Sequence, residues 1–257
     1  MKKQYWYIIL TYILVQVSAF PYVLIMKWLG FIQSPMTQTE LSKLSGTWTI
    51  ISFCIGLIII LLILRTVPKA SLRNEAPVSI GSAIAWIIGG FFLSLFAQSI
   101  AGVIEQYAFG IGRESENTQT ILSIMDAVPW LVIVIALIGP ILEEIIFRKI
   151  IFGVIYEKTN FFIGALVSSV VFAAVHTDFA HILLYTAMGF TFAFLYAKTK
   201  RIIVPIGAHM LMNSLVVLVQ IEPVKKMIEE QSQTMQMIIG GFFSSETQSY
   251  GASFILP

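Results

Sequence analysis

Charge is scarce in this chain. Of its 257 residues, 12% are Asp, Glu, Lys or Arg and 57% are hydrophobic, whereas a soluble domain carries about a quarter charged residues. So little polar surface cannot cover a water-facing globule, which excludes an ordinary soluble fold and points to the lipid bilayer as the solvent. Cysteine is scarcer still. Cys54 stands alone inside an apolar run, which excludes an intrachain disulfide and a thiolate zinc cluster and leaves it as small apolar filler. Internal repeats, low-complexity segments and any stretch with the composition of a soluble domain are lacking. A net charge of +2 carries no nucleic-acid signature, and no nucleic-acid partner is expected.

What the chain does have is apolar runs. Seven stretches are long or apolar enough to be read as spans: 5–26, 48–64, 80–104, 128–155, 161–175, 182–196 and 202–221. The fifth and sixth are short of the roughly 20 residues a lone span needs and must borrow flanking residues or sit in a thinned, protein-lined region. The fold class is therefore all-α, a polytopic transmembrane bundle of about seven or eight helices, and one membrane domain is expected over 1–257. Lys2 and Lys3 before an apolar stretch, with Val17-Ser18-Ala19 after it, suggest a signal peptide. The apolar stretch runs on to Met26, however, and is read as a retained first helix. Beyond Glu222 a short tail follows, set off by Pro223. Its apolar piece 235–243 is too short to span and is expected along the interface.

Positive charge is distributed unevenly. With the N-terminus in the cytoplasm, the seven-span arrangement puts 11 Lys and Arg residues on inner segments and 5 on outer ones, the sense of the positive-inside rule. The outer loop before the fourth span is acidic, with Glu105, Glu114, Glu116 and Asp126. A multi-pass protein of the cell membrane is expected.

The fourth span holds the sequence Gly139-Pro140-Ile141-Leu142-Glu143-Glu144-Ile145-Ile146-Phe147-Arg148. One charge near the bilayer centre costs about 2.5 kcal/mol or more, so intramembrane carboxylates are functional candidates by default. Glu144 and Arg148 are four apart, share a helix face and can pair. Glu143 is rotated by about 100° and must face something else, water and histidine being the natural partners. Pro140 removes a backbone donor just ahead of the pair, which can kink the helix and open room. A Glu-Glu pair at a helix end is more often a solvated turn, but the apolar flanks here argue against that.

All three histidines lie downstream. His176 follows Phe172 by four, and His209 precedes Asn213 by four, so each pair shares a helix face. A glutamate beside a histidine can polarise a water and move its proton, and a histidine and an amide on one face can present donors to a developing oxyanion. Taken singly, each histidine is as readily a satisfied buried group. His181, next to Asp178, is read as structural, and Phe172 as packing.

These residues together resemble the CAAX prenyl endopeptidase and bacteriocin-processing family, also called the Abi family. Its pattern is Glu-Glu-x-x-x-Arg, Phe-x-x-x-His and His-x-x-x-Asn or Asp on successive core helices. Here the pattern reads Glu143-Glu144-x-x-x-Arg148, Phe172-x-x-x-His176 and His209-x-x-x-Asn213, within a core of about residues 125–220. The resemblance implies an intramembrane glutamate protease that works without a metal or other cofactor. Glu143 and His176 would activate water, His209 and Asn213 would form the oxyanion hole, and Glu144 and Arg148 would hold the site in shape. A peptide or membrane-protein segment is the implied substrate. Two other readings stay open. One is a zinc peptidase, although His-Glu-x-x-His is absent. The other is a non-catalytic regulator or bacteriocin self-immunity protein, since some members of the family act in that way. The simple spans also leave a conflict: by helical rise Glu143 sits about 22 Å below one end of its helix and His209 about 10 Å from the other end of its own, with His176 at a helix end, so the depths disagree.

Overall fold

Hydroxyl and amide side chains mark where the helices begin. Thr37 accepts from the Glu40 backbone N–H while Glu40 reaches back to the Thr37 N–H, a reciprocal cap. Ser79, Ser115 and Asn160 each accept from the backbone N–H three residues on. Each such cap satisfies one of the donors a helix start leaves unpaired. The computed structural model describes residues 2–32, 35–67, 76–112 and 115–220, with isolated positions between 224 and 233. Pro223 and the apolar piece 235–243 lie outside the described residues.

The described chain is entirely helical in its regular structure: α1 (Lys3–Val17), α2 (Ala19–Trp28), α3 (Gln38–Arg65), α4 (Ile80–Phe109), α5 (Glu116–Ala127), α6 (residues 131–158), α7 (Phe161–Val175), α8 (Ile182–Thr199) and α9 (Ile203–Gln220). Met1–Ser214 form one compact unit and Leu215–Pro257 another. The cores and side-chain clusters described below belong to the first. Among the described residues four helical stretches, α3, α4, 179–199 and α9, are long and apolar enough to cross a membrane, and α1 with α2 makes a fifth if that bent pair is one span. The protein is thus an all-α, multi-pass membrane protein. Its exposed surface agrees: Ile84, Ile88, Phe92 and Phe96 of α4 are all more than half exposed, a face that suits lipid and not water.

Three local features differ from the sequence reading. The stretch 5–26 is not one straight helix but bends by 53° between α1 and α2. Pro21 has no N–H to offer the Val17 carbonyl, and the bend is fastened to α3, where Trp48 Nε1 donates to Ser18 Oγ at 2.9 Å and stacks on Tyr22 at 4.1 Å. Residues 116–127, read as loop, form α5. Glu105, counted as an outer-loop charge, lies inside α4 and is 2% exposed.

Of three apolar cores among the described residues, two contribute rings packed on Arg148. In one, Ile8 and Tyr12 of α1 and Ile60 of α3 pack with Leu142, Ile146 and Phe147 of α6 and Phe172 of α7. In the other, Ala83 of α4, Phe192 and Leu195 of α8, and Ala208 and Met212 of α9 pack together. Close approach is written into small residues. A Cβ at Gly189 of α8 would lie 2.9 Å from Ser169 Cβ and 3.0 Å from its Cα on α7. The starts of α4 and α9 meet the end of α8, where Val78 N–H donates to Thr199 O and Arg201 Nε to Val78 O. Lys200 lies over the Tyr156 ring near the end of α6.

Candidate active site

The site begins with a departure from regular helix in α6. Residues Val134–Ile138 and Glu144–Phe152 are wound as π-helix, around a short α-helical turn Gly139–Glu143. Gly139 N–H bonds to Val134 O, five residues back. The next donor in that register would come from position 140 to Ile135 O, but Pro140 has no N–H. The Ile135 carbonyl is met from outside instead, by Asn213 Nδ2 of α9 at 3.0 Å. A second carbonyl of the wide-turn segment, Phe147 O, accepts from Ser168 Oγ of α7 at 2.6 Å. Wide turns of this kind are frequent at functional sites, and here they leave backbone oxygens to be met from neighbouring helices. Gly139 also suits the wide turn: a Cβ there would lie 3.0 Å from the Val134 carbonyl oxygen.

Glu144 and Arg148 form the expected pair, with Nε–Oε2 at 3.2 Å and both side chains fully buried. The contact is ionic without hydrogen-bond alignment. The guanidinium is instead caged by aromatic faces, 4.3 Å from the Phe172 ring, 5.2 Å from Phe192 and 5.9 Å from Phe147, each such contact contributing about 0.5–2 kcal/mol. Phe172, read as packing, therefore does more: its ring covers Arg148 and its carbonyl oxygen bonds His176 Nδ1 at 2.8 Å.

His209 sits between the two carboxylates. Its Nδ1 is 2.9 Å from Glu144 Oε1 and its Nε2 is 3.7 Å from Glu143 Oε2, with the ring stacked on Phe192 at 4.7 Å. The spacing argument paired Glu144 with Arg148 alone, but Glu144 also holds His209, so the supporting pair and the histidine form one connected group. Glu143 differs in exposure, at 17% for its side chain against 0% for Glu144. His176 lies beyond Phe172, ring to ring at 4.6 Å, and within electrostatic reach of Glu143 and His209. Its other face is covered by Tyr185 of α8, stacked at 4.3 Å and 26°.

Glu143, Glu144, Arg148 and His209 thus meet directly, His176 joins them across Phe172, and Asn213 stands one turn beyond His209, tied to α6. The contacts remove the depth conflict: Glu143 and Glu144 of α6 both reach His209 of α9, and the Phe172 ring of α7 lies against both His176 and His209. The wound-out turns of α6 also invalidate a depth counted at a constant rise.

Other polar groups went unread. Tyr12 of α1 is buried against the edge of Phe147, accepts from Gln16 Nε2 at 2.8 Å and lies within electrostatic reach of Glu143 and Arg148. A Tyr and a Gln four apart in an apolar helix were the available signal. Tyr185 shares hydrogen bonds with Ser115 and Asn117 at the start of α5. Glu105 pairs with His181 Nδ1 at 2.8 Å and accepts from Leu184 N–H, capping α8 from a neighbouring helix. This supports the structural reading of His181.

The side chains do not suit a zinc ion: among the described residues no three His, Cys, Asp or Glu groups converge as ligands would. The Nδ1 of His209 is engaged by Glu144, whose other oxygen faces Arg148. An apolar groove of about 340 Å³ lined by Ile87, Leu137, Gly207, Met210, Leu211 and Ser214 lies on the face of α9 turned away from His209 and Asn213.

Residues 125–215 match the family model described as "Type II CAAX prenyl endopeptidase Rce1-like". The chain is 59% identical to the Bacillus subtilis (strain 168) protein named "Putative membrane peptidase YdiL", over 95% of this chain and 100% of that one. It is 35% identical to the "Membrane-embedded CAAX protease MroQ" of Staphylococcus aureus (strain USA300), over 88% and 94%. It is 31% identical to the "UPF0177 protein YxdF" of Lactococcus lactis, over 51% and 73%. No solved structure matches the chain. The three motifs, their meeting in one buried cluster and likeness over nearly the full length of two relatives place this chain in the Rce1-like CAAX endopeptidase, or Abi, family.

Proposed function

We propose that the protein is an intramembrane endopeptidase that hydrolyses a peptide bond with a water activated by Glu143 and His176, without a covalent intermediate. One observation carries the reading: of the two adjacent carboxylates, Glu144 is sealed between Arg148 and His209 while Glu143 keeps an exposed edge beside them. Glu143 takes a proton from the water as its oxygen attacks the scissile carbonyl, then passes that proton to the leaving nitrogen as the C–N bond breaks. His176 has Nδ1 fixed on the Phe172 carbonyl, which leaves Nε2 to orient the water. Asn213 uses one amide hydrogen on Ile135 O and has a second for the oxyanion. His209 offers a donor at Nε2 when doubly protonated. Glu144 and Arg148 hold His209 and α6 in place.

The substrate class is a peptide or membrane-protein segment with an apolar stretch. We place the N-terminus in the cytoplasm, because Lys2, Lys3, Lys158, Lys198, Lys200 and Arg201 fall on segments of that side.

The test uses purified protein in proteoliposomes with a library of quenched fluorescent peptides, each bearing an apolar stretch. Cleavage by the wild type and a loss of at least about 100-fold in Glu143→Ala and His176→Ala are expected, a scale consistent with loss of a general base. Equal activity in all three proteins would sink the assignment.

A further inference from the structure

The wide turn before the two glutamates carries a consequence for the oxyanion side of the site. In α6, Gly139 N–H is spent on Val134 O, and the following residue is Pro140, which has no N–H. Ile135 O therefore receives neither of the two helical donors that could reach it, from positions 139 and 140. An unmet carbonyl in an apolar setting costs about 1–3 kcal/mol. The donor that meets it is the Asn213 amide at 3.0 Å, from another helix.

That bond constrains Asn213 in a specific way. With Nδ2 holding Ile135 O, the amide plane is set and its second N–H points in one direction. Asn213 is four residues after His209 on α9, and His209 lies between Glu143 and Glu144. The bond from α9 back to α6 thus joins the helix bearing the histidine and amide to the helix bearing the carboxylates, about two turns ahead of Glu143.

We propose that Pro140 is a positioning residue for hydrolysis: by withholding an N–H it keeps the Ile135 carbonyl open as the anchor that orients the Asn213 amide toward the reaction. The proposal rests on the hydrolase reading above. It also separates two effects that usually travel together. Restoring an N–H at position 140 gives α6 a backbone bond it lacks, so it strengthens the helix while it displaces Asn213.

Pro140→Ala is compared with the wild type on the same peptide library in proteoliposomes, with thermal unfolding measured in detergent. We expect kcat to fall about 10- to 100-fold, as displacement of a positioning group by about an ångström does, with KM within about twofold and the melting temperature equal or higher. Asn213→Ala should lose at least as much, and the double variant should be no slower than Asn213→Ala alone, since both changes break one contact. Pro140→Ser restores the same N–H and repeats the measurement if the alanine variant does not fold. Wild-type kcat in Pro140→Ala, multiplicative losses in the double variant, or unfolding of both Pro140 variants would each overturn the proposal. Glu143→Ala runs alongside: if it cleaves as fast as the wild type, the hydrolase reading fails, whereas an inactive Glu143→Ala with an unaffected Pro140→Ala removes only the role of the proline.

Discussion

Arg148 concentrates the energetics of single residues. It is fully buried, paired with Glu144 and enclosed by Phe147, Phe172 and Phe192. Arg148→Ala leaves the Glu144 carboxylate buried without its counter-charge, and a loss of about 3–5 kcal/mol is expected in thermal unfolding. The double change Glu144→Gln with Arg148→Met keeps the volume and removes both charges, so it should be less destabilised than Arg148→Ala alone. A larger loss in the double variant would overturn the account in which the uncompensated Glu144 charge causes the destabilisation. Tyr185 offers a second comparison. Tyr185→Phe keeps the ring over His176 and loses the hydroxyl contacts to Ser115 and Asn117, at an expected cost of about 0.5–1.5 kcal/mol with a near wild-type cleavage rate. Tyr185→Leu removes the face stacked on His176 and, on the proposed mechanism, should slow cleavage by about tenfold, on the scale of a misplaced group.

At the scale of elements, the wound-out turns of α6 bear on where the candidate catalytic groups stand. The packing of α7 against α8 depends on Gly189, where a Cβ would press on the Ser169 backbone at 3.0 Å. Gly189→Ala should therefore cost about 1–3 kcal/mol through overpacking. Gly89 of α4 is the control, because a Cβ there meets nothing within 4 Å. Gly89→Ala should be neutral or gain up to about 1 kcal/mol from helix propensity. Equal melting temperatures for the two variants would refute the close-packing account. Glu105 works at the same scale, tying α4 to the first turn of α8 through His181 and the Leu184 N–H, and so fixing the start of the helix that carries Tyr185.

For the whole molecule the open quantity is its direction across the bilayer. In a Cys54→Ala background, cysteines at the exposed positions Lys158 and Lys198 should react with an impermeant maleimide only after the membrane is opened. A cysteine replacing Tyr107, which is 78% exposed near the other end of α4, should react in intact cells. The reverse pattern would invert the proposed orientation. The positive-inside count changes little with the structure: Arg148, scored as an inner charge, is buried in the site, and the remaining inner residues still outnumber the outer ones.

The solvent and the class of the fold were legible in one dimension, because burial in lipid demands long apolar runs and few charges whatever the tertiary arrangement. The same holds for the pairing of Glu144 with Arg148, which needs only helical spacing. The grouping of Glu143, His176, His209 and Asn213 could be proposed from three motifs, but spacing along single helices does not say how deep each helix stands. That was decided by the packing that sets Glu143 and Glu144 against His209, with α6 leaving regular helical pitch, whereas the shortness of α7 was already legible. The link from His209 to Glu144, the aromatic cage around Arg148 and the amide that meets Ile135 O join residues 65, 44 and 78 positions apart. Such contacts leave no local periodicity to read, and only the packing of α6, α7, α8 and α9 brings them into being.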